Sequence, residues 1–394
     1  MLFKIGEIIE MQKIKILLYA INIILLVALS GLHLFAQPFP KPACPPSPVI
    51  QDIQFDFSTL KKYACGSDIW AITWAGDNNQ YTTWGDGGGF GGTNNDGRVS
   101  FGFARIEGEK DNYKGINVWG GKGAENPVQS AFATGKSHGL ISIEGILYMW
   151  RSNVQDQNYM YNSYHELYKS SNYAASWELT SVVFDFKDRQ FFVPTFLQFG
   201  KDYKDARDDF VYIYAPEAHN DVWDVQFPGE IALMRVPISD ITNLKVYEYF
   251  AGLDVNDNPT WTKNIQKRRA VFSDSLNGVM RTSVSYNKGL NRYLLITQHR
   301  SRYKGNDGYI GIYDAPTPWG PWTMVLFDNP WRIGLQNNKD PFCKSPDIKT
   351  VYWNFSNKWL SDDGKQFVLV YTGPSPDNWG TIEGEFIITE SIDE

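Results

Sequence analysis

Cysteine is scarce in this chain: Cys44, Cys65 and Cys343 are the only three in 394 residues. No CxxC pair or His/Cys spacing accompanies them, which argues against a zinc framework. No Lys/Arg-rich run is present and the net charge is −7, so nucleic acid is not expected as a partner. Beyond the N-terminal segment no apolar run is long enough to cross a bilayer. The acidic loops could hold a structural calcium ion, but no EF-hand spacing indicates one, and no cofactor is expected. The glycine run GDGGGFGG (85–92) is not a phosphate-binding loop, because no Lys-Ser/Thr follows it and no parallel βαβ unit surrounds it. A helical period is almost absent throughout.

Aromatic residues and glycine are abundant instead. With 22 Tyr, 24 Phe, 14 Trp and 34 Gly, the composition points to β structure. The clearest example is the stretch from Asp68 to Arg98. Two aromatic runs, Ile69–Trp74 and Gln80–Trp84, flank a turn at Gly76-Asp77-Asn78-Asn79, which predicts a hairpin. A loop with six glycines follows between Gly85 and Gly92, giving a sharp turn that a ligand could approach closely. Asp68 stands just before the hairpin and Asp86 just after it.

The plan recurs. Further hairpins are expected at Leu140–Arg151, at Thr195–Phe199 with Phe210–Tyr214, at Thr282–Tyr286 with Tyr293–Thr297, and at Tyr352–Asn354 with Gln366–Tyr371. Additional strands follow at Val99–Ile106, His165–Lys169, Ile231–Val236, Tyr309–Tyr313 and Phe386–Thr389. Five repetitions of one antiparallel unit predict an all-β, five-bladed β-propeller rather than a two-sheet sandwich. The segment Ile50–Leu60 is placed to supply the strand that closes the ring in the last blade. One pair of the three cysteines could form a disulfide and leave one thiol, and closure would make neighbours of Cys65 and Cys343.

At the N-terminus, a basic Met11–Lys15 precedes the apolar Ile16–Leu29, and Leu34-Phe35-Ala36 offers a cleavage site before Gln37. The expected organisation is a signal peptide at 1–36, a proline-rich linker at 37–49 and a single propeller domain at 50–394. A retained membrane anchor is the alternative. The mature protein is expected to be secreted, periplasmic or at the cell surface, and monomeric.

In a propeller, the loops leading into each innermost strand and those leaving the second strand open on one face. They bring together Asp68, Lys136, His138 and Arg281 with Asp86, Arg98, Glu217, Trp223, Asp224 and Trp379. Carboxylates, arginines and aromatic rings converging on one mouth suit a polysaccharide, since rings stack on sugars and polar groups bind hydroxyls. A hydrolase needs one carboxylic acid and one carboxylate across the scissile bond. Asp68, Glu217 and Asp86 are the candidate catalytic residues, and Arg98, Lys136, His138, Trp223, Asp224, Arg281 and Trp379 the candidate substrate-binding ones.

The segments DIWAITWAGDNNQYTTWGDGGGFGG, FLQFGKDYKDARDDFVYIYAPE, YNKGLNRYLL, YDAPTPWGPW and SNKWLSDDGKQFVLVYTG resemble a group of secreted propellers first catalogued as a domain of unknown function. The resemblance covers most of residues 66–390. It implies endo-D-arabinanase-like activity and, more distantly, similarity to five-bladed arabinanase and fructosidase-like hydrolases. Those place an Asp before the first inner strand as base, a position that Asp68 matches. They also use a Glu as acid and a second Asp to tune it, roles for which Glu217 and Asp86 are the candidates. Two other functions fit the same residues. One is a non-catalytic glycan-binding propeller. The other is a lyase using His138 or a Tyr as base, with Arg281 or Lys136 neutralising a uronate.

Overall fold

The computed structural model describes residues 41–126, 135–154, 162–185, 191–219, 224–300, 309–328, 350–373 and 377–389. All the strands of the described residues lie within the unit Pro42–Glu394. Among the described residues there is no α-helix, only 3-10 turns such as Lys201–Tyr203 and Asn357–Trp359. The fold is all-β.

Strand β1 (Ile50–Tyr63) comes first. Next are β2 (Ile72–Trp74), β3 (Gln80–Gly85), β4 (Phe101–Glu107) and β5 (Lys114–Trp119), which form one antiparallel sheet in that order. A second is built from β6 (Lys136–Ile143), β7 (Ile146–Val154), β8 (Asn162–Ser170) and β9 (Glu178–Asp185). A third group holds β10 (Thr195–Gln198), β11 (Phe210–Pro216), β12 (Glu230–Pro237) and β13 (Glu248–Leu253), extended by β14 (Pro259–Thr262) and β15 (Ala270–Ser273). The fourth holds β16 (Thr282–Asn287), β17 (Arg292–Gln298), β18 (Ile310–Ala315) and β19 (Thr323–Asp328). In the last, β20 (Val351–Phe355), β21 (Gln366–Thr372) and β22 (Trp379–Ile388) are completed by β1. The strand expected at 50–60 thus pairs antiparallel with the end of the chain, from Ile50 opposite Ile388 to Tyr63 opposite Trp379.

The first strands of the five groups touch one another in a cycle. Ser142 N–H of β6 donates to Thr73 Oγ1 of β2 at 3.0 Å. Gln198 Nε2 of β10 donates to the Leu140 carbonyl of β6 at 2.7 Å. A short parallel pairing joins β10 to β16 at Leu197–Val284 and Gln198–Ser285. Ser283 Oγ of β16 donates to the Trp353 carbonyl of β20 at 2.5 Å. Asn354 Nδ2 of β20 donates to the Trp70 carbonyl, just before β2, at 3.2 Å. A narrow cavity between these strands is lined by residues of all five groups, His138 and Tyr352 among them.

Aromatic rings fill the space between successive sheets. Trp177 stacks on Phe103 at 4.6 Å, Trp150 on Phe196 at 6.1 Å, and Trp379 meets Trp70 edge-on at 5.2 Å. Fully burying one such side chain stabilises the fold by about 1.5–3 kcal/mol. This explains why hairpin strands rich in Trp, Tyr and Phe make up the interior.

The described part of the proline-rich segment is not free. Ser47 N–H donates to the Met324 carbonyl, and Met324 N–H to the Pro45 carbonyl, both at 2.7 Å. Proline has no N–H, so only its carbonyl can serve in such an edge contact. Cys65 is disulfide-bonded and Cys44 is a free thiol. Cys343 lies outside the described residues, as do the segment expected to be a signal peptide and residues 37–40 of the expected linker.

Candidate active site

Asp68 is held by two backbone hydrogen bonds to Gly85, from its N–H at 2.8 Å and to its carbonyl at 2.6 Å. The ends of the first hairpin are therefore clamped together, and the carboxylates of Asp68 and Asp86 emerge side by side. The backbone is strained just after the first acid and at the second: Ile69 has φ 60° and Asp86 φ 54°. For a β-branched residue such as Ile69 that region is a steric outlier, costing about 1–3 kcal/mol. Outliers of this kind cluster at functional sites.

Lys136, the first residue of β6, reaches between the two acids. Its Nζ lies 3.3 Å from Asp68 Oδ1 and 3.0 Å from Asp86 Oδ2. Burial works against the ammonium, but Asp68 and then Asp86 outweigh it and raise its pKa. Asp68 itself is raised, chiefly by burial and against the pull of Lys136. Arg281, just before β16, is buried, and its Nη1 donates to Gln298 Oε1 at 2.7 Å. Its charge also acts on Asp68. Arg98 is exposed and sits 3.4 Å from Asp86 Oδ1.

A third carboxylate joins this cluster from the loop between β21 and β22. Asp377 is pushed up to about 7, first by burial and then by Asp68, with Asp86 adding to the rise and Lys136 and Arg281 opposing it. Its backbone carbonyl accepts from Gly66 N–H at 2.5 Å, tying that loop to the segment leading into β2. Asp377 was not among the expected site residues. The one sequence signal for it is the polar loop GPSPDNWG (373–380), whose closeness to Asp68 depends on the chain ends meeting.

Other expected residues sit elsewhere. Glu217 bonds to Arg268 in a fork, Oε1 to Nε at 2.7 Å and Oε2 to Nη2 at 2.5 Å. The charges that act on it are Arg268, Glu230 and His219, none of which belongs to the Asp68 cluster. Trp379 was expected to offer its face to a sugar, yet it is fully buried. Its indole N–H donates to Tyr113 Oη at 3.0 Å, and its ring packs against Trp70 and Phe90, so it supports the site from below. His138 lines the inner cavity rather than the mouth, edge-on to Tyr352 at 4.9 Å. Burial, then the charges of Arg281 and Lys136, hold it well below the usual histidine range, so it is neutral. Asp224 is exposed, and its Oδ1 accepts from Val225 N–H at 2.7 Å. Trp223 lies outside the described residues.

The glycine loop serves packing as well as access. At Gly89, with φ +65°, an added Cβ would come within 2.6 Å of the Trp84 ring. Ser67 Oγ accepts from Gly89 N–H at 3.0 Å. Asn117 Oδ1 accepts from Phe90 N–H at 2.9 Å, while its Nδ2 donates to the carbonyls of Gly88, Phe90 and Lys122. The loop is therefore folded against the sheet, leaving Asp86 on its near end.

Residues 114–329, more than half of the chain, match the family described as a domain of unknown function (DUF4185). The chain belongs to that family. The matched span contains Lys136 and Arg281 but neither Asp68 nor Asp377. No curated protein matches the chain. Among solved structures it is similar to an alpha-L-arabinofuranosidase from Podospora anserina, at TM-score 0.47 and 10% identity over 82% of this chain and 91% of that one. It is also similar to an endo-arabinase from Bacteroides thetaiotaomicron, at TM-score 0.43 and 11% identity over 82% of this chain and 95% of that one. No helix among the described residues is long and apolar enough to cross a membrane.

Proposed function

We propose that this protein is an exported glycoside hydrolase, built as a five-bladed β-propeller, that cleaves a polysaccharide at the mouth where Asp68, Asp86 and Asp377 meet. The arabinan-like, endo-acting specificity implied by the family resemblance is part of the same reading. The observation that carries it is the unequal partnering of two neighbouring acids. Burial raises both carboxyls, Asp377 to about 7, but of the two it is Asp68 that carries the bond from Lys136, at 3.3 Å. Glycoside hydrolysis needs such a division of labour, with one carboxyl protonated for the leaving oxygen and one ionised for water or for attack. Asp68 is assigned as base or nucleophile and Asp377 as acid. Asp86 tunes the pair, and Lys136 and Arg281 fix the ionised partner and contact the sugar.

The test is a polysaccharide panel with mass spectrometry of the products, run on the wild type and on Asp68→Asn. Turnover should fall about 10²–10⁴-fold, the usual contribution of a general base. Glycan binding and Tm should stay near the wild type. Full activity in Asp68→Asn would make Asp68 a turn residue and overturn the assignment. Products absorbing near 235 nm (roughly, for a 4,5-unsaturated uronate) would instead indicate lyase chemistry. Sequencing the secreted protein should give a start near Gln37; a start at Met1 or Met11 would refute export by cleavage.

A further inference from the structure

A groove of about 700 Å³ opens between the first and last sheets, away from the acids described above. It is lined by the turn before β21 and the turn between β4 and β5. Asp377 follows the other end of β21, so the strand's seven residues separate the two places by about 20 Å. The volume falls within the range of small-ligand sites, about 300–1,000 Å³.

Its lining has the two-sided character of a sugar subsite. Phe55 is half-buried and lies edge-on to Phe367 at 6.0 Å. Trp359 lies behind, against Tyr113 at 4.8 Å, and its buried indole N–H meets no acceptor among the described residues. Beside Phe55, β1 breaks register with β22 between Asp56 and Lys61, which opens the ladder at the groove. Five carboxylates stand against two lysines along the walls. Lys110 is held by Glu383 at 2.7 Å and Lys358 by Glu109 at 3.2 Å. Asp56 and Glu385, both exposed, offer oxygens to a ligand. Acceptor oxygens beside an apolar ring suit the hydroxyls and C–H faces of a neutral sugar, and the acidic excess repels a polyuronate.

We propose that this groove is a second, non-catalytic site for a neutral segment of the polysaccharide that the mouth cleaves. The proposal rests on the hydrolase reading for the identity of that polymer. It is tested by affinity gel electrophoresis of the full chain carrying Asp68→Asn, in gels containing arabinan, xylan, β-glucan or polygalacturonate, with spermine binding followed by calorimetry. At least one neutral polymer should retard the protein. Adding either Phe55→Ala or the surface change Glu385→Lys should weaken that retardation about three- to tenfold, the size of one lost ring contact. In the otherwise wild-type chain, the same two changes should leave kcat/KM on a short oligosaccharide unaltered. Unchanged retardation in the folded Glu385→Lys protein, retardation by no neutral polymer, or binding of spermine or polygalacturonate in its place would each overturn the proposal. A wild type that cleaves none of the polymers, while retardation still depends on Phe55 and Glu385, would sink the hydrolase reading and leave the groove.

Discussion

Asp68 and Gly85 exchange both of their backbone hydrogen bonds, at 2.8 and 2.6 Å, in an isolated bridge beyond the β2–β3 pairing. The glycine is required there for room. A Cβ at position 85 would run into Lys136 Nζ and stand 2.6 Å from Asp68 Oδ1. Gly85→Ala should therefore displace the Lys136–Asp68 pair. The expected outcome is a loss of at least about tenfold in kcat/KM, with a destabilisation of about 1–3 kcal/mol from overpacking. Steady-state kinetics and thermal melts on one preparation would check it, and unchanged kinetics would show that the pair is not needed.

Asp377 gives a pH signature. Its carboxyl is moved from the ordinary 3.8 to about 7, so the folded state holds the proton more tightly than the unfolded chain does. The stability from that proton is fully present below about pH 4 and is lost as pH rises through about 7. The Tm of the wild type minus that of Asp377→Asn should fall across this window and then level off. Activity of the wild type should decline above about pH 7 as the acid loses its proton, and Asp377→Asn should be slower by about 10²–10⁴-fold on unactivated glycosides. A flat Tm difference would place the titration elsewhere.

Glu217 and Arg268 should matter to folding more than to chemistry. Their side chains are only 11% and 12% exposed. Removing one member of a buried pair leaves the other charge uncompensated, at a cost of about 3–5 kcal/mol. Arg268→Ala should lower the denaturant midpoint accordingly. Glu217→Gln should lose stability while keeping turnover within about threefold, on the scale of factors set by RT. A large fall in kcat with an unchanged midpoint would return Glu217 to the acid role expected from the sequence.

The turn at Ser170–Trp177 offers a cleaner check of local chemistry. Asn172 Oδ1 accepts from Ser170 Oγ and from Ser176 N–H, both at 2.9 Å. Asn172→Ala should cost about 1 kcal/mol or slightly more, the worth of such bonds, with no change in activity. Denaturant melts of the variant would measure it.

The hairpins were legible in the sequence because each joins two apolar runs across a turn with its own residue chemistry. Ile146–Val154 and Arg292–Gln298 follow such turns directly. The outer strands β5, β9, β13 and β19 were not legible. Glu178–Asp185, for example, alternates buried and exposed residues only in its second half and carries charge at both ends. At the site, Asp68, Asp86 and Lys136 stood out because they flank the inner strands. Asp377 did not, since its place beside Asp68 follows from the pairing of β1 with β22 and not from any local pattern. Trp379 was misread for a related reason: a tryptophan suits a sugar face and a core equally well, and only packing against Trp70 decides which.

The pairing of Ile50 with Ile388 sets a timetable for the chain. Strand β1 leaves the ribosome among the first parts of the domain, and its partner β22 among the last. Until β22 has been made β1 has no ladder to join, and contacts between such distant residues form slowly. An unfinished chain is then kept open by its own connectivity. The Asp68–Asp377 juxtaposition, assembled by the same closing step, comes into being only when both ends have arrived, so no partly made chain carries the complete acidic cluster.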